Sequence, residues 1–490
     1  MKLKIKNLNF STGVPVCILN QKSADLLGVK INGRILLKKG DISLFSITDI
    51  SNDFVNEKEI GLSYEVSQRL NLKDNAEIDV LLSSPPKSLV FIKKKMNGEK
   101  LSQKEINLII KETVNNSLSE SEISLFISSM YQKGMDIKET IFLINAILKS
   151  GKSIKLNNKG IVVDKHCIGG IPGNRTTPIV VSICASAGLI FPKSSSRAIT
   201  TSAGTADVVE SVAKVDFSVS EIKKIIQKTN ACLIWGGSLE LIPADEKIIS
   251  IEKTLNIDPE SQLLASIMAK KLALGAKYIL IDIPYGENAK FNKKRALELK
   301  NKFEILGRHY KKIMRVVLTS GDQPIGNGIG PVLEMIDIIK VLSQSQDRPL
   351  DLEKKCIYLS GEILEMTHKS KKGKGQELAK ELLTSGKAFE KFKEIIKAQK
   401  GDLNRLKFAK YKKDILAERT GKIKFLDNKK INSLGRIAGA PFDKSAGLFL
   451  YKHLGDDVKK GEKLITLYSE SKSRIKASIN FLKEQKPILY

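Results

Sequence analysis

The chain has 490 residues, enough for several domains with buried cores. Hydrophobic residues make up 42%, and no stretch reaches the roughly 18 uncharged apolar residues that a membrane-spanning helix needs. The net charge of +28 admits polyanionic or phosphorylated partners, but the lysines are scattered and aromatic residues are only 6%. We therefore expect solvated lysine-rich helix faces, with neither nucleic acid nor a membrane as partner.

Cysteine and histidine usage predicts the compartment and argues against a metal. The five cysteines lack C-x-x-C spacing, and their odd number argues against a disulfide framework, so we expect a reduced, cytoplasmic protein. The four histidines are far apart in the sequence, so no zinc site is expected. Residues 1–10 alternate lysine with apolar side chains, which predicts a strand and not a signal peptide.

The N-terminal third predicts two modules. Residues 1–84 contain short alternating runs separated by Gly and Asn turns, which predicts a β-rich module. Residues 85–159 predict a helical domain. Three of its helix starts have capping-box spacing, in which an oxygen-bearing N-cap is followed three residues later by Glu. These pairs are Ser102/Glu105, Ser119/Glu122 and Asp136/Glu139.

The remaining chain predicts an α/β domain followed by two further segments. Within 160–344, strand-like runs alternate with helical runs, which predicts a parallel sheet covered by helices. The strand-like runs are 161–163, 231–235, 278–283 and 313–318. Residues 345–420 predict a helical connection, and 421–490 predict a separate C-terminal α+β module. The expected fold is therefore an α/β multidomain protein, and ligands of such sheets bind beyond the carboxyl ends of the strands.

Two strand–loop–helix segments combine features of an anion site. In 165–177, Gly169 and Gly170 let backbone N–H groups approach an anion, and Lys165 adds a full charge. In 194–207, seven hydroxyl groups lie within twelve residues. Two such loops can bind two faces of a phosphorylated sugar. The alternatives are a tight glycine turn and a solvated Ser/Thr loop with helix caps.

Other candidates carry stronger structural alternatives. Ser266 and Lys270 lie four residues apart and share one helix face. Asp258 precedes that helix, where it could be only an N-cap, and Lys290 could be a plain surface lysine. The glycine-rich run 321–330 either shapes a pocket floor or forms a flexible connection.

Together, the runs 165–177, 194–207 and 265–271 resemble the thymidine/pyrimidine-nucleoside phosphorylase family, and its AMP-phosphorylase-like branch most closely. The resemblance extends over nearly the whole chain, including 443–447. The β-rich N-terminal module and the insert 172–174 fit that branch.

The resemblance implies a fold and a reaction. It implies a helical domain facing an α/β domain across a cleft, in a homodimer or larger homo-oligomer. It implies a pentosyltransferase that splits the N-glycosidic bond of a nucleoside or nucleoside 5′-monophosphate. Inorganic phosphate would be the co-substrate, with no metal or organic cofactor, and the products would be a free base and a (deoxy)ribose 1-phosphate. AMP is the favoured substrate, and thymidine is the alternative.

The resemblance also implies residue roles. Asp258 would be the proton donor to the leaving base, which requires burial to raise its pKa. Phosphate would meet Lys165, Gly170, Ser195 and Thr205. The nucleotide would meet Gly170, Ser196, Arg197, Ala198, Ile199, Thr200, Thr201, Thr205, Ser266, Lys270 and Lys290. Arg197 and Lys290 provide more positive charge and more hydrogen-bond donors than one phosphate needs, which favours a substrate with a second phosphate.

The sequence departs from the family pattern at two positions. Cys167 stands where the family usually has Ser, so a phosphate hydroxyl is missing or replaced by a weak thiol donor. Ile251 stands where thymidine phosphorylases place an Arg, which weakens the case for thymidine.

Two rival functions are considered. An anthranilate-type phosphoribosyltransferase would need an acidic pair after the Ser/Thr loop, which is not evident. A polyanion-binding protein would use the +28 charge instead.

Overall fold

The computed structural model describes residues 1–71, 73–152, 154, 160–198, 201–239 and 242–490. The chain forms two compact units. The first comprises Met1–Gly151 and Ile242–Ser266, and the second comprises Lys152–Leu241 and Ile267–Tyr490. Within the described ranges, no helix is long and apolar enough to cross a membrane.

The N-terminal module of the first unit is a closed six-stranded barrel with two short helices. Its elements are β1 (Lys2–Asn7), β2 (Val16–Leu19), α1 (Gln21–Leu27), β3 (Arg34–Lys39), β4 (Ile42–Ile50), β5 (Glu59–Leu62), α2 (Tyr64–Leu70) and β6 (Glu77–Leu82). The strands close in the order β1-β5-β2-β4-β3-β6. Leu3 and Ile5 are buried while Lys2 and Lys4 are exposed, as the alternating sequence predicts.

The helical domain follows as α3 (Leu89–Met96), α4 (Gln103–Val114), α5 (Glu120–Lys133) and α6 (Ile137–Lys149). All three capping boxes are confirmed, since each N-cap oxygen accepts from the backbone of the third residue and each Glu bonds back. A buried ion pair joins two of these helices, with Lys95 Nζ lying 2.9 Å from Glu139 Oε1. The helices therefore begin where the capping boxes predict, and their apolar faces are buried.

The α/β region contains alternating strands and helices and a helical layer. Its elements are β7 (Val163–Cys167), α7 (Thr176–Ser186), β8 (Phe191–Ser195), α8 (Thr205–Glu210), α9 (Val219–Thr229), β9 (Ala231–Trp235), a 3-10 turn (Gly236–Leu239), α10 (Pro243–Leu255), α11 (Glu260–Ala273), β10 (Tyr278–Tyr285), α12 (Lys293–His309), β11 (Ile313–Ser320), β12 (Gly328–Ile329), α13 (Pro331–Leu342), α14 (Leu350–Met366), α15 (Gly375–Thr384), α16 (Lys387–Ala398) and a 3-10 turn (Leu403–Arg405).

The predicted parallel sheet is confirmed. Strands β11, β10 and β7 pair in parallel, β8 pairs in parallel with β9, and a parallel bridge between Val162 and Ile190 connects the two groups. Strand β8 is the strand implied by the strand–loop–helix pattern of 194–207, although its sequence Phe-Pro-Lys-Ser-Ser lacks the apolar run of a buried strand. Its tertiary pairing with β9 decides the conformation instead.

Two stretches differ from their predicted positions. Helix α10, with residues up to Ser266, belongs to the first unit, although 160–344 was predicted as one continuous domain. It packs on α4 and α5, where Lys247 Nζ donates to the carbonyl oxygens of Thr113 and Val114 at 2.9 Å each. Helices α14, α15 and α16, predicted as a connection, share the buried core of α7 and so form a layer of the α/β domain.

The C-terminal segment consists of β13 (Tyr411–Leu416), β14 (Gly421–Lys422), β15 (Phe425–Leu426), α17 (Asn428–Ala438), β16 (Gly447–Leu450), β17 (Asp457–Val458), β18 (Lys463–Ser469), α18 (Lys472–Gln485) and β19 (Ile488–Leu489). Its main sheet has the order β12-β16-β18-β13. The predicted C-terminal α+β module has its own buried core, and strand β12, from the glycine-rich run 321–330, joins it to the α/β domain by backbone hydrogen bonds.

Candidate functional site

Lys165 is a buried cation in the middle of β7. Only 1% of its surface is exposed, and its Nζ donates to Thr176 Oγ1 at 2.5 Å, in the first turn of α7. Within the described part of the chain, no carboxylate lies within ion-pair distance of it. Burial lowers the pKa of Lys165, because the charged form loses its hydration. Among the described residues, the ammonium therefore lacks a counterion.

The nearest carboxylates already serve other lysines. Asp164 is fully buried, with Oδ2 lying 2.7 Å from Lys271 Nζ and Oδ1 lying 3.3 Å from Lys193 Nζ. Lys193 also donates to the carbonyl oxygen of Lys165 at 2.8 Å. Because two lysines share one carboxylate, burial outweighs the attraction to Asp164 and lowers the pKa of Lys193 to about 7.

Asp282 is the second buried carboxylate near Lys165. Its Oδ2 lies 3.2 Å from Lys355 Nζ, and its Oδ1 accepts from Thr319 Oγ1 at 2.6 Å. Burial alone would raise the pKa of Asp282, but Lys355 and Lys165 hold it below its usual value. Among the described residues, three buried lysines and the partly buried Lys355 thus face two buried aspartates, an excess of cationic groups that suits an anion.

Glycines shape the loop after β7. Gly169 and Gly170 have φ of 90° and 92°, a backbone conformation that residues with a side chain rarely adopt. A Cβ on Gly170 would lie 3.6 Å from Lys290 Cβ, so the loop approaches Lys290. A Cβ on Gly173 would lie 2.3 Å from the carbonyl oxygen of Ile325. The insert 172–174 therefore packs on the run 321–330, as expected if that run shapes the pocket floor.

The loop after β8 presents hydroxyl groups toward the same edge of the sheet. Ser195 Oγ is buried and has no hydrogen-bond partner among the described residues. Thr205 Oγ1 accepts from Arg175 Nη1 at 3.0 Å, which leaves its own proton to donate. Arg175 also donates to Ala203 O at 2.7 Å and from Nε to Glu334 at 2.6 Å. Arg175 was not predicted as a site residue, although it stands between Asn174 and Thr176 in the first motif.

Arg197 forms ion pairs with protein carboxylates, and its predicted substrate role stays a prediction. Its guanidinium donates to both carboxylate oxygens of Glu210 at 2.6 Å and to Asp207 Oδ1 at 3.1 Å, and it lies over the Trp235 ring. The sequence showed the cation but not its acidic partners.

The other predicted residues of this loop vary in their environment. Ala198 N donates to Asp207 Oδ2 at 2.7 Å, and Thr201 Oγ1 donates to Ala203 O at 2.8 Å. Ser196 is exposed. Ile199 and Thr200 lie outside the described residues.

The remaining candidates follow α10 or lie in α11 and beyond. Asp258 is exposed in the structure, so the expected burial of its carboxyl group is not present. Pro259 O accepts from Leu263 N at 2.9 Å, which makes Pro259 rather than Asp258 the N-cap position. Ser266 Oγ donates to the buried carboxylate of Asp245 at 2.8 Å, a partner that the sequence pattern did not reveal. Lys270 is partly exposed and Lys290 is exposed.

Comparison with known proteins places the chain in a family. Residues 90–151 match the helical bundle domain of a glycosyl transferase family, and 159–389 match the α/β domain of that family. Residues 422–489 match the pyrimidine nucleoside phosphorylase C-terminal domain.

Full-length relatives carry two names. An AMP phosphorylase of Pyrococcus horikoshii is 43% identical over 100% of this chain and 97% of its own length. An AMP phosphorylase of Pyrococcus abyssi is 44% identical over the same shares. A Legionella pneumophila (strain Corby) protein, provisionally named thymidine phosphorylase, is 37% identical over 99% of this chain and 95% of its own length. The chain belongs to the AMP and thymidine phosphorylase family of pentosyltransferases.

A solved structure supports the fold of the family. Anthranilate phosphoribosyltransferase from Thermus thermophilus superposes with a TM-score of 0.53 and 16% identity, covering 63% of this chain and 99% of its own. At that identity the likeness concerns the fold alone.

The two departures from the family pattern have clear environments. Asn174 Nδ2 lies 3.3 Å from Cys167 Sγ, and burial raises the pKa of Cys167, so the neutral thiol is the stable form. A thiol remains a weak donor to an anion. Ile251 is 6% exposed and forms part of the apolar core of its unit, so it is a packing residue.

A cleft of about 400 Å³ lies at the end of β11. Its lining includes Thr319, Gln323, Asp351, Lys355 and Tyr358, and none of the predicted phosphate or nucleotide residues. Through Lys355 and Thr319, which both contact Asp282, the cleft adjoins the cluster of charged groups around Lys165.

The lowered pKa of the buried Lys193 predicts that the stability of the fold depends on pH. Between about pH 7 and pH 10 the unfolded Lys193 binds a proton that the folded side chain has lost, so stability rises with pH in that window. We expect the free energy of unfolding to increase from about pH 6 to about pH 9 and expect Lys193→Met to reduce this increase. Urea unfolding measures both, with the exposed Lys224→Met as control. An unchanged pH dependence in Lys193→Met would contradict the assignment.

Proposed function

We propose that the protein catalyses the phosphorolysis of the N-glycosidic bond of nucleoside 5′-monophosphates, AMP first. The observation that carries the proposal is the buried Lys165 ammonium, which has no carboxylate partner in the described part of the chain. It lies beside a glycine loop with positive φ and the N-terminus of α7, both of which favour an anion. Inorganic phosphate is the anion that the reaction of this family requires.

The proposed chemistry uses phosphate twice. As the C1′–N bond breaks, positive charge develops on the sugar and negative charge on the base. Phosphate, held by Lys165, Ser195 and Thr205, stabilises the sugar cation and then forms the new C1′–O bond. The base leaves with the bonding electron pair and takes up one proton. Arg175 contributes indirectly, because it fixes Thr205 and the carbonyl of Ala203.

AMP is proposed over thymidine for three reasons. Ile251 offers no hydrogen-bond donor to a pyrimidine carbonyl. The insert 172–174 and the N-terminal barrel match the AMP-phosphorylase-like pattern. Relatives at 43% and 44% identity are named AMP phosphorylases. Arg197, which also pairs with Glu210, and Lys290 are the proposed cations for the 5′-phosphate.

Assembly and location are part of the same proposal. We propose a homodimer or larger homo-oligomer, as the family resemblance implies. A cytoplasmic location is proposed because the five cysteines are all free.

The reaction is tested by incubating the protein with AMP, CMP, UMP, adenosine, uridine and thymidine, each with and without phosphate. Free base is expected only when phosphate is present, with the highest kcat/KM for AMP. Base release at an equal rate without phosphate would indicate a hydrolase. A higher kcat/KM for thymidine or uridine than for every monophosphate would make the protein a pyrimidine-nucleoside phosphorylase.

Lys165→Met tests the phosphate site. A charge-assisted hydrogen bond contributes about 1.5–3 kcal/mol, so the KM for phosphate should rise about ten- to hundredfold. The KM for AMP should change much less. Steady-state kinetics with each substrate varied in turn separates the two, and Lys224→Met, an exposed lysine, is the control. A selective rise in the KM for AMP would contradict the assignment.

Asp258→Asn tests the proposed proton donor. The substitution keeps the shape and removes only the transferable proton, so kcat should fall about 10²–10⁴-fold while the protein stays folded. Because Asp258 is exposed, little loss of stability is expected. Asp53→Asn, an exposed aspartate of the barrel, is the matched control. A normal kcat in Asp258→Asn would remove Asp258 from the mechanism.

A further inference from the structure

One face of α17 contacts the loops at the carboxyl ends of four strands. Asn428, Asn432 and Gly435 are spaced four and three residues apart, so they share this face. Both asparagine side chains are buried, with 0% and 5% of their surfaces exposed. The helix lies in the C-terminal segment, far along the chain from the loops that it contacts.

Asn432 links the two proposed anion loops. Its Oδ1 accepts from Ser202 N at 3.1 Å and from Ser202 Oγ at 3.3 Å, and its carbonyl oxygen accepts from Ser202 Oγ at 3.1 Å. Its Nδ2 donates to the carbonyl oxygen of Gly170 at 3.4 Å. A single amide thus uses its acceptor on the loop after β8 and its donor on the loop after β7.

The other two residues extend this contact. Asn428 Nδ2 donates to Gly321 O at 2.8 Å and to Asn288 O at 3.1 Å, in the loops after β11 and β10. A Cβ on Gly435 would lie 2.5 Å from Ser202 Oγ, so the absence of a side chain lets the helix approach that loop. The face therefore holds all four loops against one rigid element.

The amide of Asn432 suits an anion site for an electrostatic reason. Carbonyl oxygens repel an anion, and Asn432 engages the oxygen of Gly170, a residue at φ of 92°. Aspartate in its place would still accept from Ser202, but it would lose the donor to Gly170 and add a negative charge close to the proposed phosphate. Alanine would lose both contacts without adding charge.

We propose that Asn432 is a positioning residue for phosphate, which sets the relative geometry of the loops after β7 and β8. The C-terminal segment then contributes, through Asn432, to the function of the catalytic domain. This inference rests on the proposed phosphate site.

The test compares Asn432→Ala with Asn432→Asp in the full chain. The KM for phosphate should rise about tenfold in Asn432→Ala, since several hydrogen bonds are lost, and more in Asn432→Asp because of the added charge. The KM for AMP and the midpoint of thermal unfolding are measured alongside. A residue that serves only packing would lower the unfolding midpoint, while the folded variants keep the wild-type KM for phosphate. That outcome would overturn the proposal.

Ser469→Ala is the matched control. Ser469 is fully buried, and its Oγ donates to Ala438 O at 2.6 Å at the end of the same helix, without contacting the loops. It should lower the unfolding midpoint and leave the KM for phosphate unchanged. An equal rise of that KM in Ser469→Ala would show a general loss of stability and overturn the proposal.

Calorimetry with inorganic phosphate distinguishes a failure of the proposed function from a failure of the positioning role of Asn432. Wild-type protein that does not bind phosphate would contradict the proposed function, and this inference would fall with it. If the wild type binds phosphate and both Asn432 variants bind it with the same Kd, only the positioning role is wrong. Weaker phosphate binding by the variants, with Asn432→Asp weakest, is the expected result.

Discussion

A buried ammonium group without a carboxylate partner among the described residues is the constraint on which the site depends. Taking a charge out of water is costly unless it is paired, and in this fold Asp164 and Asp282 are already paired with other lysines. Lys165 has a hydroxyl partner, Thr176. The proposed phosphate would offset this electrostatic cost when it binds.

The surrounding loops are held by contacts between distant parts of the chain. Arg175 fixes the loop after β8, the insert at Gly173 packs on Ile325, and β12 pairs with β16 in the C-terminal sheet. None of these contacts is local in sequence. Stability of the C-terminal segment and geometry of the anion loops are consequently linked, and Asn432 lies where the two meet.

Two predicted residues have environments that the sequence did not reveal. The guanidinium of Arg197, which is predicted to bind substrate, pairs with Glu210 and Asp207. Asp258 was expected to be buried, but it is exposed. In both cases the residue type was consistent with the chemistry, while the environment that the chemistry needs depends on the fold.

The sequence by itself determined the features that arise from neighbouring residues. Capping boxes such as Ser102/Glu105, the parallel strand–helix alternation and the glycine loop beside Lys165 were all predictable, because hydrogen bonding and periodicity act over a few residues. Only the tertiary structure decided that β8 pairs with β9, that β12 joins the C-terminal sheet and that the buried aspartates pair with lysines other than Lys165. Those outcomes depend on which distant groups approach one another, and residue spacing along the chain carries no information about that.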